Sequence, residues 1–244
     1  SLRILSVKMA VRLFPKLVLF GDSLTQQSFS EGGWGATLAD YYQRKCDVLN
    51  RGFSGYTSAY NKFILPKVLQ SDNNPKGSAV AAIVLLGSND AVCNETDPRG
   101  LTVEQYATNL MDILTQFMND GMEASQLVLL TPPAVADDKY KECCAERDVP
   151  VSLWDARVKP FAEKCVDVGK KLGVEVVDLY KLFHEQPNWE SFVSDGLHFS
   201  KEGNQFVAQQ VIPVLDTKLG HLPMIFPDWK DVDPKHPDKY FCNN

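Results

Sequence analysis

Apolar residues in this chain follow two alternating patterns. Short apolar runs, several of them nearly continuous, occur at Leu17–Gly21, Asp47–Asn50, Val80–Leu86, Leu127–Leu130 and Val174–Asp178. Runs of this length predict strands, and the near-absence of polar positions predicts that several are covered on both faces. Between them, apolar positions recur at helical spacing. The clearest case begins at Thr102, where Gln105 completes a capping-box pattern. Tyr106, Leu110, Ile113, Leu114 and Phe117 then fall on one face, and Gly121 follows as a stop. A second helical pattern runs from about Ser152 to Leu172, ahead of Gly173; Pro160 inside it predicts a kink or a later start. A last helix is predicted from about Lys201 towards Leu219, with Pro213 as an interruption.

Alternating strands and helices predict a parallel sheet with helices on both faces, because parallel strands need crossover connections. Ligands of such sheets bind beyond the carboxyl ends of the strands. Ser23 follows the first predicted strand, Gly52–Gly55 the second, and Gly87-Ser88-Asn89-Asp90 the third. These three loops should open onto one edge.

Bulk properties narrow the field. The 244 residues are 44% hydrophobic and 23% charged, enough for one sizeable core. No Gly/Ser-rich or charge-rich linker divides them, so a single domain, 1–244, is predicted. Within it, 1–16 reads as an N-terminal extension and 221–244 as a Pro-containing tail. A net charge of −6 argues against nucleic acid or an anionic membrane as the main partner. Lys170-Lys171 reads as a solvated helix end. No apolar stretch is long enough for a membrane span. The first twenty or so residues spread Arg3, Lys8, Arg12 and Lys16 among apolar ones, without the order of a secretory leader, which predicts a cytoplasmic protein. Ser1 is no initiator and Met9 is a candidate one, which would leave 1–8 as an upstream remnant.

Cys46, Cys93, Cys143, Cys144, Cys165 and Cys242 show neither CxxC spacing nor a zinc pattern with histidine, so free thiols in a reducing compartment are expected. Adjacent Cys143-Cys144 is only a weak redox signal. Asn94-Glu95-Thr96 fits the glycosylation triplet, which is expected to be unused without a secretory leader.

The candidate chemistry lies in four blocks. Gly21-Asp22-Ser23 follows an apolar run; Ser23 is a candidate nucleophile, though Asp or Ser there can equally cap a helix. A serine hydroxyl needs a base, and a histidine base needs a group that fixes its tautomer and stabilises its charged form. Of His184, His198, His221 and His236, His198 alone has an aspartate, Asp195, three residues before it within a glycine-containing loop. Asp195 can alternatively cap the following helix. Asn89 is a candidate amide donor to an oxyanion or a plain turn residue. Gly55 can aim a backbone N–H at a ligand or simply turn the chain.

Taken in order, Gly21-Asp22-Ser23, Gly55, Gly87-Ser88-Asn89-Asp90 and Asp195-Gly196-Leu197-His198 resemble the four blocks of the GDSL, or SGNH, hydrolase family. The resemblance runs from about Leu17 to Leu215. Three further segments resemble the isoamyl acetate-hydrolysing esterase branch: Gly32-Gly33-Trp34-Gly35, Asn50-Arg51-Gly52-Phe53-Ser54-Gly55-Tyr56, and Leu222-Pro223 through Pro227-Asp228-Trp229. The implied fold is α/β: a three-layer α/β/α sandwich with a five-stranded parallel sheet, flavodoxin-like. The implied activity is a serine esterase with Ser23, Asp195 and His198 as catalytic triad. The Ser23 and Gly55 N–H groups and the Asn89 side chain would form the oxyanion hole. No metal or organic cofactor is called for, and Asp22 and Asp90 are expected to brace loops. The expected partner is a small-molecule ester, such as an acetate of a small alcohol. Phe29, Trp34, Phe53 and Tyr56 lie near these loops and are candidates either for a substrate pocket or for the core. An acyltransferase, a carbohydrate or thioester deacylase and a catalytically silent binding module stay open. The tail, with Phe226 and Trp229 as candidate anchors, can shape the site or a homodimer contact; the sequence does not choose between them.

Overall fold

The computed structural model describes residues 14–73 and 76–241; most of the 1–16 extension, including 1–8, and Cys242 lie outside that range. Five strands, β1 (Lys16–Gly21), β2 (Asp47–Gly52), β3 (Ala79–Leu85), β4 (Leu127–Leu130) and β5 (Glu175–Val177), form one sheet in the order β2-β1-β3-β4-β5. Every pairing is parallel. Each strand lies on a run expected from the sequence. Around the sheet are α1 (Ser23–Gln26), α2 (Trp34–Tyr41), α3 (Ser58–Asp72), α4 (Val103–Asn119), α5 (Asp137–Glu146), α6 (Asp155–Leu172), α7 (Leu179–His184), α8 (Lys201–Leu219) and α9 (Asp238–Phe241).

The central strands β1, β3 and β4 are apolar almost throughout because both faces are covered, whereas the edge strands β2 and β5 carry polar residues and are only partly buried. Strand alternation sorts the side chains. Val18 and Phe20 of β1 join one core cluster with Leu65 of α3, Leu110 and Phe117 of α4, and Phe161 of α6. Leu17 and Leu19 join the other, with Trp34 and Leu38 of α2, Phe183 of α7, and Val211 and Leu215 of α8. The result is the expected α/β/α arrangement.

The capping box at α4 is formed: Thr102 Oγ1 accepts the Gln105 N–H at 3.1 Å, and Gln105 Oε1 accepts the Thr102 N–H at 2.9 Å. Helix α6 starts at Asp155 rather than Ser152, because Trp154 is extended; Pro160 then falls in the second turn. The interruption expected at Pro213 is absent. Helix α8 runs through it, and the buried face of Val207, Val211 and Leu215 on both sides of the proline holds the helix against the sheet. Lys170 and Lys171 are the exposed basic end of α6.

In the tail the expected anchors are also corrected. Trp229 is 78% exposed and Phe226 largely so, whereas Ile225 is buried. The Ile225 N–H donates to the Arg44 carbonyl at 2.6 Å, and the Arg44 guanidinium donates to the carbonyls of Phe226 (2.9 Å) and Pro227 (2.8 Å). Backbone hydrogen bonding and one aliphatic side chain hold this segment, not the aromatics.

The carboxyl ends of β1 and β2 pack closely against α1, Gly21 on the Thr25 side chain and Gly52 on the backbone of Thr25 and Gln26. A Cβ on Gly52 would lie 1.9 Å from the Gln26 nitrogen. Gly52→Ala should therefore cost at least about 3 kcal/mol, the upper range for overpacking. Gly121→Ala, in a left-handed turn with nothing within 4 Å, should cost only about 1 kcal/mol. Urea unfolding of both variants checks the difference; equal losses would contradict the close packing at the site edge.

Candidate active site

Ser23 opens α1 directly after β1. Asp22 caps that turn: its Oδ1 accepts the Leu24 N–H at 3.0 Å and its carbonyl accepts the Gln26 N–H at 2.8 Å. The turn is pinned on both sides. Trp34 Nε1 donates to the Leu24 carbonyl at 2.9 Å. Asn50 Nδ2 donates to the Thr25 carbonyl at 2.9 Å, and Gln26 Oε1 accepts the Ser54 N–H at 2.8 Å. Ser23 is thus held at the carboxyl edge of the sheet, at the point where strand order reverses on either side of β1.

His198 reaches it from a loop ahead of α8. His198 Nε2 lies 3.0 Å from Ser23 Oγ, across 175 residues of chain. His198 Nδ1 lies 2.8 Å from Asp195 Oδ2. A carboxylate only accepts, so Nδ1 carries the hydrogen and Nε2 is left to accept from the serine hydroxyl. Asp195 Oδ1 accepts the N–H groups of Leu197 (3.0 Å) and His198 (2.8 Å), which folds the short loop around the carboxylate. Burial opposes the charged form of Asp195. Hydrogen bonds from the His198 ring and from the His198 and Leu197 N–H groups outweigh it and hold the carboxyl well below its usual range. Gly196 has φ +89°, and a Cβ there would lie 2.3 Å from the Tyr140 nitrogen. The Ala136 N–H donates to the Gly196 carbonyl at 2.9 Å, so the histidine loop docks on the first turn of α5.

Asn89 and Gly55 come from the loops after β3 and β2. Asn89 Nδ2 lies 3.2 Å from the Tyr56 carbonyl and 3.4 Å from Asp22 Oδ2, beside the Ser23 turn. Gly55 adopts φ +78°. A residue that the sequence reading missed joins the two: Arg99 Nη1 donates to the Gly55 carbonyl at 3.0 Å and to Asn89 Oδ1 at 3.1 Å. It lies in an irregular loop, and its only advance signal is the neighbouring Asp97. Ser23, Gly55, Asn89, Asp195 and His198 are therefore all brought to one edge.

Asp22 and Asp90 are bracing groups, as expected. Both Asp90 oxygens accept the Ser58 N–H at 3.0 Å, and the Ser58 hydroxyl also donates to Asp90. Burial raises Asp90 to about 6 against those hydrogen bonds. Burial likewise raises Asp22 to about 7, opposed by the Leu24 N–H and assisted by the charge of Asp90.

The aromatic candidates divide. Phe29 is 43% exposed and Tyr56 37% exposed. Phe53 is half-buried, stacked on Tyr56 with centroids 5.5 Å apart and edge-on to Phe20. Trp34 has no exposed surface and belongs to the core beneath α1, so its pocket reading is corrected: its role is to support the serine turn.

With a hydroxyl, an oriented imidazole, a charged carboxylate and convergent donors in one place, the arrangement suits acyl transfer. Comparison with known proteins agrees. The model of the family described as GDSL-like lipase/acylhydrolase matches residues 17–211. The chain belongs to that family and is a carboxylic ester hydrolase. A Homo sapiens protein named isoamyl acetate-hydrolyzing esterase 1 homolog is 36% identical over 227 residues, spanning 93% of this chain and 91% of its own. A GDSL esterase/lipase of Arabidopsis thaliana is 34% identical over 247 residues, spanning 93% and 97%. Among solved structures, the acetyl xylan esterase AlAXEase superposes with a TM-score of 0.67 at 17% identity, covering 82% of this chain and 99% of its own. A lipase/acylhydrolase from Enterococcus faecalis gives 0.63 at 24% identity, covering 86% and 98%. Both share the fold. Among the described residues no helix is long and apolar enough to cross a membrane.

The raised Asp22 has a consequence for stability. Its folded value of about 7 lies above the ordinary carboxylate value of 3.8. Its contribution is therefore fully present below about pH 4 and is lost as pH rises through about 7. Asp22→Asn keeps the capping acceptor but cannot ionise. Relative to that variant, the wild type should lose on the order of 4 kcal/mol between about pH 4 and above pH 7. Urea midpoints across that range check this; a gap independent of pH would contradict it.

Proposed function

We propose that the protein is a serine esterase that hydrolyses short-chain carboxylic esters, such as acetates of small alcohols, through an acyl-enzyme on Ser23. The observation that carries this reading is the continuous chain from Ser23 Oγ through His198 to Asp195, at 3.0 and 2.8 Å. Ser23 Oγ attacks the ester carbonyl while His198 Nε2 takes its proton. The resulting imidazolium stays paired with Asp195, whose charge costs nothing further to develop. Collapse of the tetrahedral intermediate breaks the bond to the alcohol oxygen, which receives the proton from His198. Water then attacks the acyl-enzyme, giving its proton to His198, and the second collapse returns that proton to Ser23 Oγ as the acid leaves.

Each tetrahedral intermediate carries an oxyanion. The Ser23 and Gly55 N–H groups and Asn89 Nδ2 are its donors in this reading, and one such donor is typically worth about 3 kcal/mol. The substrate class is supported by the names of the curated relatives and by the half-exposed rings of Phe29 and Tyr56, which suit a small apolar alcohol or acyl group.

Hydrolysis of p-nitrophenyl esters from acetate to palmitate tests the reading. Turnover should peak at short chains and vanish in Ser23→Ala. Activity that persists in Ser23→Ala, or that rises towards palmitate, would overturn the nucleophile or the substrate class respectively. Asn89→Ala should lower kcat by about 10²- to 10³-fold with little change in KM. Asp195→Asn should lower it by about 10⁴-fold, through loss of the His198 tautomer.

A further inference from the structure

We propose that Arg99 is a positioning residue for the oxyanion hole; the inference rests on the esterase reading above. One guanidinium nitrogen, Arg99 Nη1, donates both to Asn89 Oδ1 at 3.1 Å and to the Gly55 carbonyl at 3.0 Å. The two acceptors belong to different loops, after β3 and β2, and both residues are oxyanion donors in the proposed mechanism.

The first contact sets the sense of the Asn89 amide. An amide can rotate by half a turn, exchanging its acceptor oxygen for its donor nitrogen. In one orientation it presents N–H to an oxyanion; in the other it presents an oxygen and repels it. Arginine has donors only, so the atom facing Arg99 must be the oxygen. The NH₂ group is thereby turned to the opposite side, towards Tyr56 and Asp22 beside Ser23. The second contact pins the carbonyl of Gly55, which adopts φ +78° and whose N–H is the other donor. Glycine admits the guanidinium there, since a Cβ would lie 3.2 Å from Nη1.

Arg99 is itself fixed. Its Nε lies 3.0 Å from Asp97 Oδ1 and its Nη2 2.5 Å from Asp97 Oδ2, a two-pronged pairing that settles the plane of the guanidinium. Hydrogen bonding from Arg99 outweighs burial and holds the Asp97 carboxyl below its usual range. The loop beneath cannot slide: the Leu101 N–H donates to the Asp90 carbonyl at 2.8 Å, and a Cβ on Gly100 would lie 2.3 Å from the Val92 carbonyl oxygen. The chain of positioning runs from Asp97 through Arg99 to the two donors. It acts on transition-state charge and not on the binding of a neutral ester.

The test is steady-state hydrolysis of p-nitrophenyl acetate by Arg99→Ala, Asn89→Ala and the double variant, with thermal melts and fluorophosphonate labelling of Ser23 alongside. Arg99→Ala should lower kcat by about ten- to a hundredfold, part of the full value of an oxyanion donor, with KM changed by less than about threefold. Adding Arg99→Ala to Asn89→Ala should cost much less than it does alone, because its main target is gone. Millimolar guanidinium chloride should restore part of kcat in Arg99→Ala, and sodium chloride should not. Asp97→Asn, which keeps Arg99 but frees its far side, should show the same loss in smaller measure. Full kcat in a folded Arg99→Ala, multiplicative losses in the double variant, or a loss confined to KM would each overturn the assignment while labelled wild type leaves the esterase reading intact. Failure of wild-type Ser23 to label would instead overturn that reading.

Discussion

The contact on which the rest of the structure depends is the one between Ser23 Oγ and His198 Nε2, 3.0 Å apart. It is a single hydrogen bond and adds little to stability. What it demands is placement: a hydroxyl from the end of β1 and an imidazole from the loop before α8 must meet within a few tenths of an ångström. The sheet order β2-β1-β3-β4-β5 puts β1 between two parallel neighbours, so the loops after all three open on one edge. Gly21 and Gly52 let those strand ends pack directly against α1; a Cβ on Gly21 would lie 2.2 Å from Thr25 Oγ1 of α1 and 2.4 Å from the Leu85 carbonyl oxygen of β3. On the other side, the Trp34 N–H donates to Asn204 Oδ1 at 3.0 Å, tying the start of α2 to α8, the helix that follows His198.

Three aspartates at this edge are shifted differently because their surroundings differ. Asp195 accepts two N–H groups and the His198 ring, and stays ionised despite partial burial. Asp22 is fully buried with one strong N–H donor, and burial carries it to about 7. Asp90 is equally buried but receives Ser58 through both its N–H and its hydroxyl, and rises less, to about 6. In the proposed mechanism His198, which would become charged during turnover, faces the ionised Asp195, while burial favours the neutral form of the carboxyl next to Ser23. Separation of charge states by environment is how one edge can hold several acids with different duties.

Much of this was legible in the sequence. The central strands β1, β3 and β4 could be read because a doubly covered strand carries apolar side chains on both faces, the edge strands β2 and β5 from their shorter apolar cores, and α4 because its stripe and capping box are both intact. The first three site blocks could be read because each follows a strand, and all four because each carries a residue type that acyl transfer requires; the Asp195–His198 block lies instead just ahead of α8. Elements with mixed signals were missed. Helix α3 buries Ser58, Asn61 and Asp72 in line with Leu65, Val68 and Leu69 and has Pro66 in its middle, so its apolar stripe is short and broken by polar residues. Helix α5 buries little beyond Cys144. Trp34 was ambiguous because an indole near a motif suits a pocket or a core equally, and only packing decides. Arg99 left little trace beyond the nearby Asp97, because its partners, the Gly55 carbonyl and the Asn89 amide, are set by the meeting of two loops and not by any spacing along the chain. Where backbone groups make the contact, as at Arg44 and the tail carbonyls, side-chain chemistry in the sequence is silent.

The central claim, that His198 and Asp195 activate Ser23 for acyl transfer, is tested most directly by trapping the acyl-enzyme. The protein would be mixed with p-nitrophenyl acetate, quenched with acid within the first turnover, digested, and mapped by mass spectrometry. One acetyl group on the peptide containing Ser23, formed in step with a burst of p-nitrophenol, is the required result. Acetyl on another residue, or steady hydrolysis with no acetyl on Ser23 at any time during a burst, would contradict it.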